Sequence, residues 1–395
     1  MSSSAARTRT APSSTRSAGA TKSSGGSSRA CSPSRKAAWW EGGGGRREVA
    51  PPGRRVYKRV RALEATRAPT ETPAALDPRI QPLFDNVRKV IVGKDDAVKL
   101  ALTTLLARGH LLIEDVPGLG KTMLARAIAQ SLRATFRRIQ FTPDLLPSDV
   151  TGVTVFDPSR QQFELFRGPV FTQVLLADEI NRTSPRTQSS LLESMEERQV
   201  TIDGKTHQLP EPFFVLATQN PIELEGTYPL PEAQLDRFLL RIELGYPSRD
   251  EEARILLEQI HEHPIQKLEP VMEVEEVLHL QSVVRDVRVG PEVLGYITEI
   301  AEATRSSPDA RLGVSPRGSL ALLRASQAHA FLSGMTCVTP DSVKVVAPHV
   351  LAHRILLDAK KAFTGFTARD LVSHVLGTVP VPTLPQDKRH SPPLN

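Results

Sequence analysis

Hydrophobic residues in this chain come first as short apolar stretches and then, beyond about residue 246, at helical spacing. Apolar runs near 110 to 114, 135 to 141, 173 to 177, 213 to 218 and 238 to 244 are separated by stretches long enough for helices. Short apolar runs without alternation predict strands buried on both faces, and strand alternating with helix predicts a parallel sheet covered on both sides. Met123, Leu124, Ala127, Ile128 and Leu132 fall on one helical face, so that stretch is core. After Gly245-Tyr-Pro-Ser248 the pattern turns helical, with runs at 251 to 257, 274 to 284, 291 to 303 and 316 to 331 that predict a small helical lid, Pro247 lying near the linker. Two segments alternate around a turn instead. Residues 153 to 166 and 200 to 209, the second through Asp203-Gly204, predict inserted hairpins.

The first apolar run ends in Glu114-Asp-Val-Pro-Gly-Leu-Gly-Lys-Thr122 and is followed by a helical run. A glycine-rich loop between strand and helix is a phosphate cradle: Gly118 and Gly120 let successive N–H groups face an anion, and the helix adds its positive dipole end. Lys121 would reach the β and γ phosphates, and Thr122 would hold Mg²⁺. The usual pattern starts with a glycine where this chain has Asp115. The third run ends in Ala177-Asp-Glu179. In an open parallel sheet ligands sit beyond the carboxyl ends of the strands, so Asp178 can meet a metal while Glu179 faces the attacking water.

Two further strands carry polar residues suited to hydrolysis. Phe213 to Asn220 ends on an amide that can orient water or cap the following Pro221 segment. Arg237, ahead of the last strand, is either a charge donor to a γ-phosphate or an ion-pair partner of Asp236 or Glu232.

From about Leu83 to Val375 the chain resembles the MoxR-type AAA+ ATPases, through His110 to Thr122, Leu175-Leu-Ala-Asp-Glu-Ile-Asn-Arg182, Thr218-Gln-Asn-Pro221 and Gly226 to Phe238. The resemblance implies an α/β P-loop AAA+ fold: a parallel-sheet αβα sandwich at 76 to 246 with two inserted β-hairpins, then a small all-helical lid at 247 to 379. It implies Lys121 and Thr122 as Walker A and Asp178 and Glu179 as Walker B. Asn220 becomes sensor 1, Arg237 an arginine finger for the neighbouring subunit, and Arg317 in Val314-Ser-Pro-Arg-Gly-Ser319 a sensor 2 on the lid. The nucleotide, ATP with Mg²⁺, would lie against Val92 and Gly93 and along Val116, Pro117, Gly118, Leu119, Gly120, Lys121, Thr122 and Met123. The hairpins resemble elements that face a ring pore or a client protein; the alternative is that both are ordinary surface hairpins. A hexameric ring, chaperone-like maturation of other proteins, and a partner with a von Willebrand factor A domain are further implications. A magnesium-chelatase-like ATPase subunit, a nucleic-acid-associated AAA+ machine and a weakly hydrolysing scaffold are the alternatives.

Composition changes one part of this picture. The 395 residues carry a net +6, but residues 1 to 70 alone hold +12, which leaves the remainder at −6. Basicity therefore belongs to a Ser, Gly and Arg-rich tail and not to the folded part, so nucleic acid is not the expected partner. That tail, set at 1 to 75, and the last residues, 380 to 395, are expected to be disordered. The basic tail reads first as a disordered or start-site extension, and its Arg- and Ser-rich, acid-poor composition also fits an organelle transit peptide. Cys31 and Cys337 are isolated, which suits a reducing, cytoplasmic setting. His349 and His353 are at helical spacing but have no third ligand near them, and no hydrolase triad or zinc-protease motif occurs.

Overall fold

The computed structural model describes residues 76–221, 226–260 and 262–383, so the basic tail and the last twelve residues lie outside the described residues. The central sheet contains β1 (Leu111–Glu114), β2 (Phe136–Gln140), β5 (Val174–Asp178), β8 (Phe214–Gln219) and β9 (Leu240–Ile242) in the order β2-β5-β8-β1-β9. All four neighbouring pairs are parallel. Register places Gln140 beside Asp178, and Ile113 beside Thr218.

Strand periodicity divides the apolar residues between two cores. Leu111, Ile113, Leu176 and Leu216 face one, which Leu124 and Ile128 of the helix Lys121–Ser131 complete. Leu112, Leu175, Ala177 and Val215 face the other, where Leu191, Leu192 and Met195 of the helix Pro185–Glu197 pack. β5 and β8, read as doubly buried strands, are buried because both faces are covered, whereas β2, read the same way, is an edge strand with Arg137, Arg138 and Gln140 exposed.

The helices Arg249–Glu258, Val274–Arg285, Pro291–Ser306, Pro316–Leu332 and Pro340–Leu351 follow. Leu322, Ala325, Val346 and Val350 of the latter two enter the same core as Leu240 and Ile242. The described residues accordingly belong to one compact unit. His349 Nδ1 lies 3.1 Å from the Arg241 carbonyl and His353 Nε2 lies 3.0 Å from that of Phe238, so this histidine pair holds β9 to the helices. Among the helices is a short antiparallel ladder of β10 (Ala310–Leu312) and β11 (Leu356–Leu357).

Both hairpins form. β3 (Gly152–Asp157) pairs with β4 (Gln162–Arg167), and β6 (Gln199–Ile202) with β7 (Lys205–Gln208). Asp203 and Gly204 both have positive φ, 48° and 75°, as a two-residue turn between right-twisted strands requires. Among the described residues no helix is long and apolar enough to cross a membrane.

Candidate functional site: a phosphate-loop cavity and an arginine cavity

Beyond the carboxyl ends of β1, β5 and β8 lies a cavity of about 360 Å³ lined by Pro117, Gly118, Gly120, Lys121, Thr122, Met123, Arg138, Gln140, Asp178, Glu179 and Asn220. Gly118 and Gly120 have φ of 87° and 89°, conformations a side chain would strain, and Gly120 caps the helix that begins at Lys121. The Lys121 ammonium is largely buried and donates to the Asp115 carbonyl at 2.5 Å. Burial lowers its pKa, while Asp115, Asp178 and Glu179 pull the other way.

Asp115 fills the place of the missing glycine with a tether. Its Oδ2 accepts the Leu244 and Gly245 N–H groups at 2.7 and 2.8 Å, and Oδ1 accepts the Val116 N–H. The start of the loop is thereby fixed to the exit of β9.

At the end of β5 the two acids part. Asp178 stays in the strand and Glu179 turns left-handed, φ 57°. The Glu179 N–H donates to Thr218 Oγ1 at 2.8 Å, and that hydroxyl donates to Asp178 Oδ1 at 2.5 Å. Asp178 Oδ2 accepts the Arg138 guanidinium at 2.6 Å, and Glu179 Oε2 accepts Gln140 at 2.8 Å. Arg138 and Gln140 were not readable as site residues. Their place depends on the pairing of β2 with β5, and register between distant strands leaves no local signal.

Val116 and Leu119 belong to the loop but do not line the cavity, and neither do Val92 and Gly93. The latter pair sits against the start of the helical part: the Lys94 ammonium donates to the Tyr246 carbonyl at 2.8 Å, and a Cβ on Gly93 would collide with Glu251.

A second cavity, about 400 Å³, shares no lining residue with the first. It opens at the amino ends of β1 and β9, beside Gly109 and Leu239. β1 alone separates the two ends by on the order of 13 Å, at about 3.3 Å per residue. Arg237 lies here, its Nε 3.1 Å from Glu196 Oε2. Arg317 lies here too, with Nη1 3.1 Å from Glu196 Oε1 and Nε 3.7 Å from Asp236. Behind them the buried Arg354 donates to Asp236 Oδ1 at 2.6 Å and to the Phe238 carbonyl at 2.6 Å, and also to the Val350 carbonyl.

Arg317 does not lie over the phosphate loop of its own chain. The helix Pro316–Leu332, capped by Ser315, docks on the β1/β9 side of the sheet through the shared core, which carries its first turn to the amino ends of those strands. Nor does Arg237 pair with Asp236 or Glu232; its carboxylate is Glu196.

A parallel sheet with a glycine loop, a Lys-Thr pair and an Asp-Glu strand end defines a P-loop nucleotide hydrolase of the AAA class. Family models agree: residues 110–240 match the ATPase family associated with various cellular activities, and 302–375 match the AAA lid domain. The chain is 52% identical to the uncharacterized protein YeaC of Bacillus subtilis over 78% of its length and 96% of that protein's. It is 40% identical to Chaperone MoxR1 of Mycobacterium tuberculosis, over 78% and 84%. A crystal structure from Cytophaga hutchinsonii, provisionally assigned as an ATPase, superposes with a TM-score of 0.72 at 37% identity, covering 77% of this chain and 95% of that one. The chain belongs to the MoxR family of AAA+ ATPases. It is an ATPase of that family.

Proposed function

We propose that copies of this chain form a ring, with six members as the family resemblance implies, and hydrolyse ATP at the contacts between them. One observation carries the reading: Arg237 and Arg317 sit together in a cavity at the opposite end of β1 from their own phosphate loop. Charge donors so placed cannot serve the nucleotide of their own chain, but they can meet the γ-phosphate of a copy packed against that edge.

In this reading each phosphate-loop cavity does the binding and proton chemistry. Backbone N–H groups at Gly118 and Gly120 and the Lys121 ammonium hold the phosphates. Asp178 and Thr122 offer hard oxygen donors at the rim of the same cavity, a set that fits Mg²⁺, and the carboxylate is already aimed by Thr218. Mg²⁺, when bound, would screen phosphate charge. Glu179 accepts the proton of the attacking water; its carboxylate is held by Gln140 while that of Asp178 is held by Arg138 and Thr218, so the two acids keep separate tasks. Asn220, buried at the end of β8, orients that water. Arg237 and Arg317 of the neighbour then stabilise charge spreading over the transferred group.

The work driven by this cycle is chaperone-like remodelling or maturation of partner proteins, supported by likeness to Chaperone MoxR1 and by MoxR proteins of Methylorubrum extorquens and Paracoccus denitrificans at 31% and 32% identity. A partner with a von Willebrand factor A domain remains an implication of the family resemblance. The test is assembly. Glu179→Gln in ATP should be trapped as a ring by light scattering, and wild-type turnover per chain should rise with protein concentration across the assembly range. Monomers with concentration-independent turnover would overturn the reading.

A further inference from the structure

The arginine cavity contains an acid that the shared-site reading does not use. Glu196 lies in the last turn of the helix Pro185–Glu197, where a carboxylate meets the negative end of the helix dipole and is locally unfavourable. Each of its oxygens takes one guanidinium, Oε2 that of Arg237 and Oε1 that of Arg317, both at 3.1 Å. Among the described residues it is the one ion-pair partner of Arg237. Arg317 has a second hold on Asp236, which the buried Arg354 fixes in turn. The two arginines come from segments 80 positions apart in sequence and carry like charge, so without a carboxylate between them they would repel and spread over several rotamers.

We propose that Glu196 is a positioning residue for the shared ATP site: it holds Arg237 and Arg317 as a pair, side by side at the spacing of its two oxygens, ready for the γ-phosphate of the neighbouring subunit. The inference rests on the reading of that site as shared. Glu196 touches no substrate itself. It acts by removing the search that two free arginines would need, and a displacement of about 1 Å in such a group can cost on the order of 10²-fold in rate.

Glu196→Ala should lower kcat by roughly 10- to 100-fold and leave the Kd for ATP and the melting temperature near wild type, since nucleotide binding and the core lie elsewhere. Glu196→Gln keeps one accepting oxygen and should fall between the two, and it serves as the test if the alanine variant folds poorly. In an Arg237→Ala/Arg317→Ala background, Glu196→Ala should cost nothing further, because its effect runs through those side chains. Unchanged or raised kcat in Glu196→Ala, or an equal additional loss in the arginine-free background, would overturn the proposal.

Mixing separates this inference from the reading beneath it. Glu196→Ala chains co-assembled with Lys121→Ala chains should regain activity, as should Arg237→Ala chains with the same partner. Recovery for Arg237→Ala but not for Glu196→Ala would place Glu196 in its own chain's site and overturn this proposal alone. Recovery for neither, with co-assembly demonstrated, would overturn the shared site and this proposal with it.

Discussion

The two cavities of this chain lie at opposite ends of the same strands and are built in opposite ways. The phosphate-loop cavity is made of contiguous motifs: 117 to 123 is one loop and helix start, and 178 to 179 is one strand end. The arginine cavity takes its lining from around 107 to 110, 195 to 198, 236 to 239, 317 to 324 and 354, none of which forms a site alone. The first is a place for binding, where backbone N–H groups and a buried lysine wait for phosphates. The second holds charge in reserve, with Arg237, Arg317 and Arg354 neutralised by Glu196 and Asp236 until something more anionic arrives. The difference suggests a division of labour: one end of the sheet holds the nucleotide, and the other is offered to a neighbour.

The comparison breaks most sharply by cutting one residue from each side. Arg237→Ala should reduce turnover by on the order of 10³ to 10⁵ while ATP still binds with near-normal affinity. Lys121→Ala should instead weaken binding itself. Calorimetric titration with ATP and a phosphate-release assay distinguish the two, and a large loss of ATP affinity in Arg237→Ala would put both cavities in one site.

Next in size is the anchor behind the arginines. Arg354→Ala would strip a buried partner from Asp236 and remove a donor from each of the Phe238 and Leu239 carbonyls, at a cost of roughly 3 to 5 kcal/mol. Chemical denaturation measures it. A loss below about 1 kcal/mol would show that the arginine cavity does not depend on Arg354.

Much of this was legible in advance, and what escaped has physical reasons. The strands, both hairpins and the phosphate loop are local patterns of apolar periodicity and turn chemistry, and each forms close to where the residues placed it. Asp115 was visible as a departure from the loop pattern, but its role was not, because the groups it tethers, Leu244 and Gly245, are 129 and 130 positions away. Glu196 looked like any acid on a helix surface. Arg317 was found by its motif but its cavity was not, since the docking of its helix is decided by a core shared with β9 and not by the motif. Local residues give the chemistry; long-range packing decides which chemistry meets.

A smaller effect concerns pH. His110 is buried beside the arginine cavity, with Nδ1 accepting the Val215 N–H at 3.1 Å and Nε2 facing the Met195 carbonyl at 3.0 Å, so the neutral form is the one that fits. Burial pushes its pKa from 6.5 down to about 4. Between those values the unfolded chain takes up a proton that the folded chain refuses, so stability should fall as pH drops from 6.5 and level off below about 4, by at most about 3 kcal/mol at roughly 1.4 kcal/mol per pKa unit. Denaturant midpoints at pH 7.5, 5.5 and 4.5 measure the slope, and His110→Gln should make it shallower, leaving the part due to His329, His349 and His353, whose pKa values burial also lowers; an equally steep slope in that variant would assign it wholly to those groups.

The central claim is that the binding end of one chain and the charged end of another make a single site. Its direct measurement is phosphate release by an equimolar mixture of Arg237→Ala and Lys121→Ala chains, each nearly inactive alone. In a mixed ring some contacts pair an intact Lys121 with an intact Arg237, so activity should rise well above the mean of the separate variants and follow the fraction of such contacts as the ratio is varied. Activity that stays at that mean, with co-assembly demonstrated, would contradict the account.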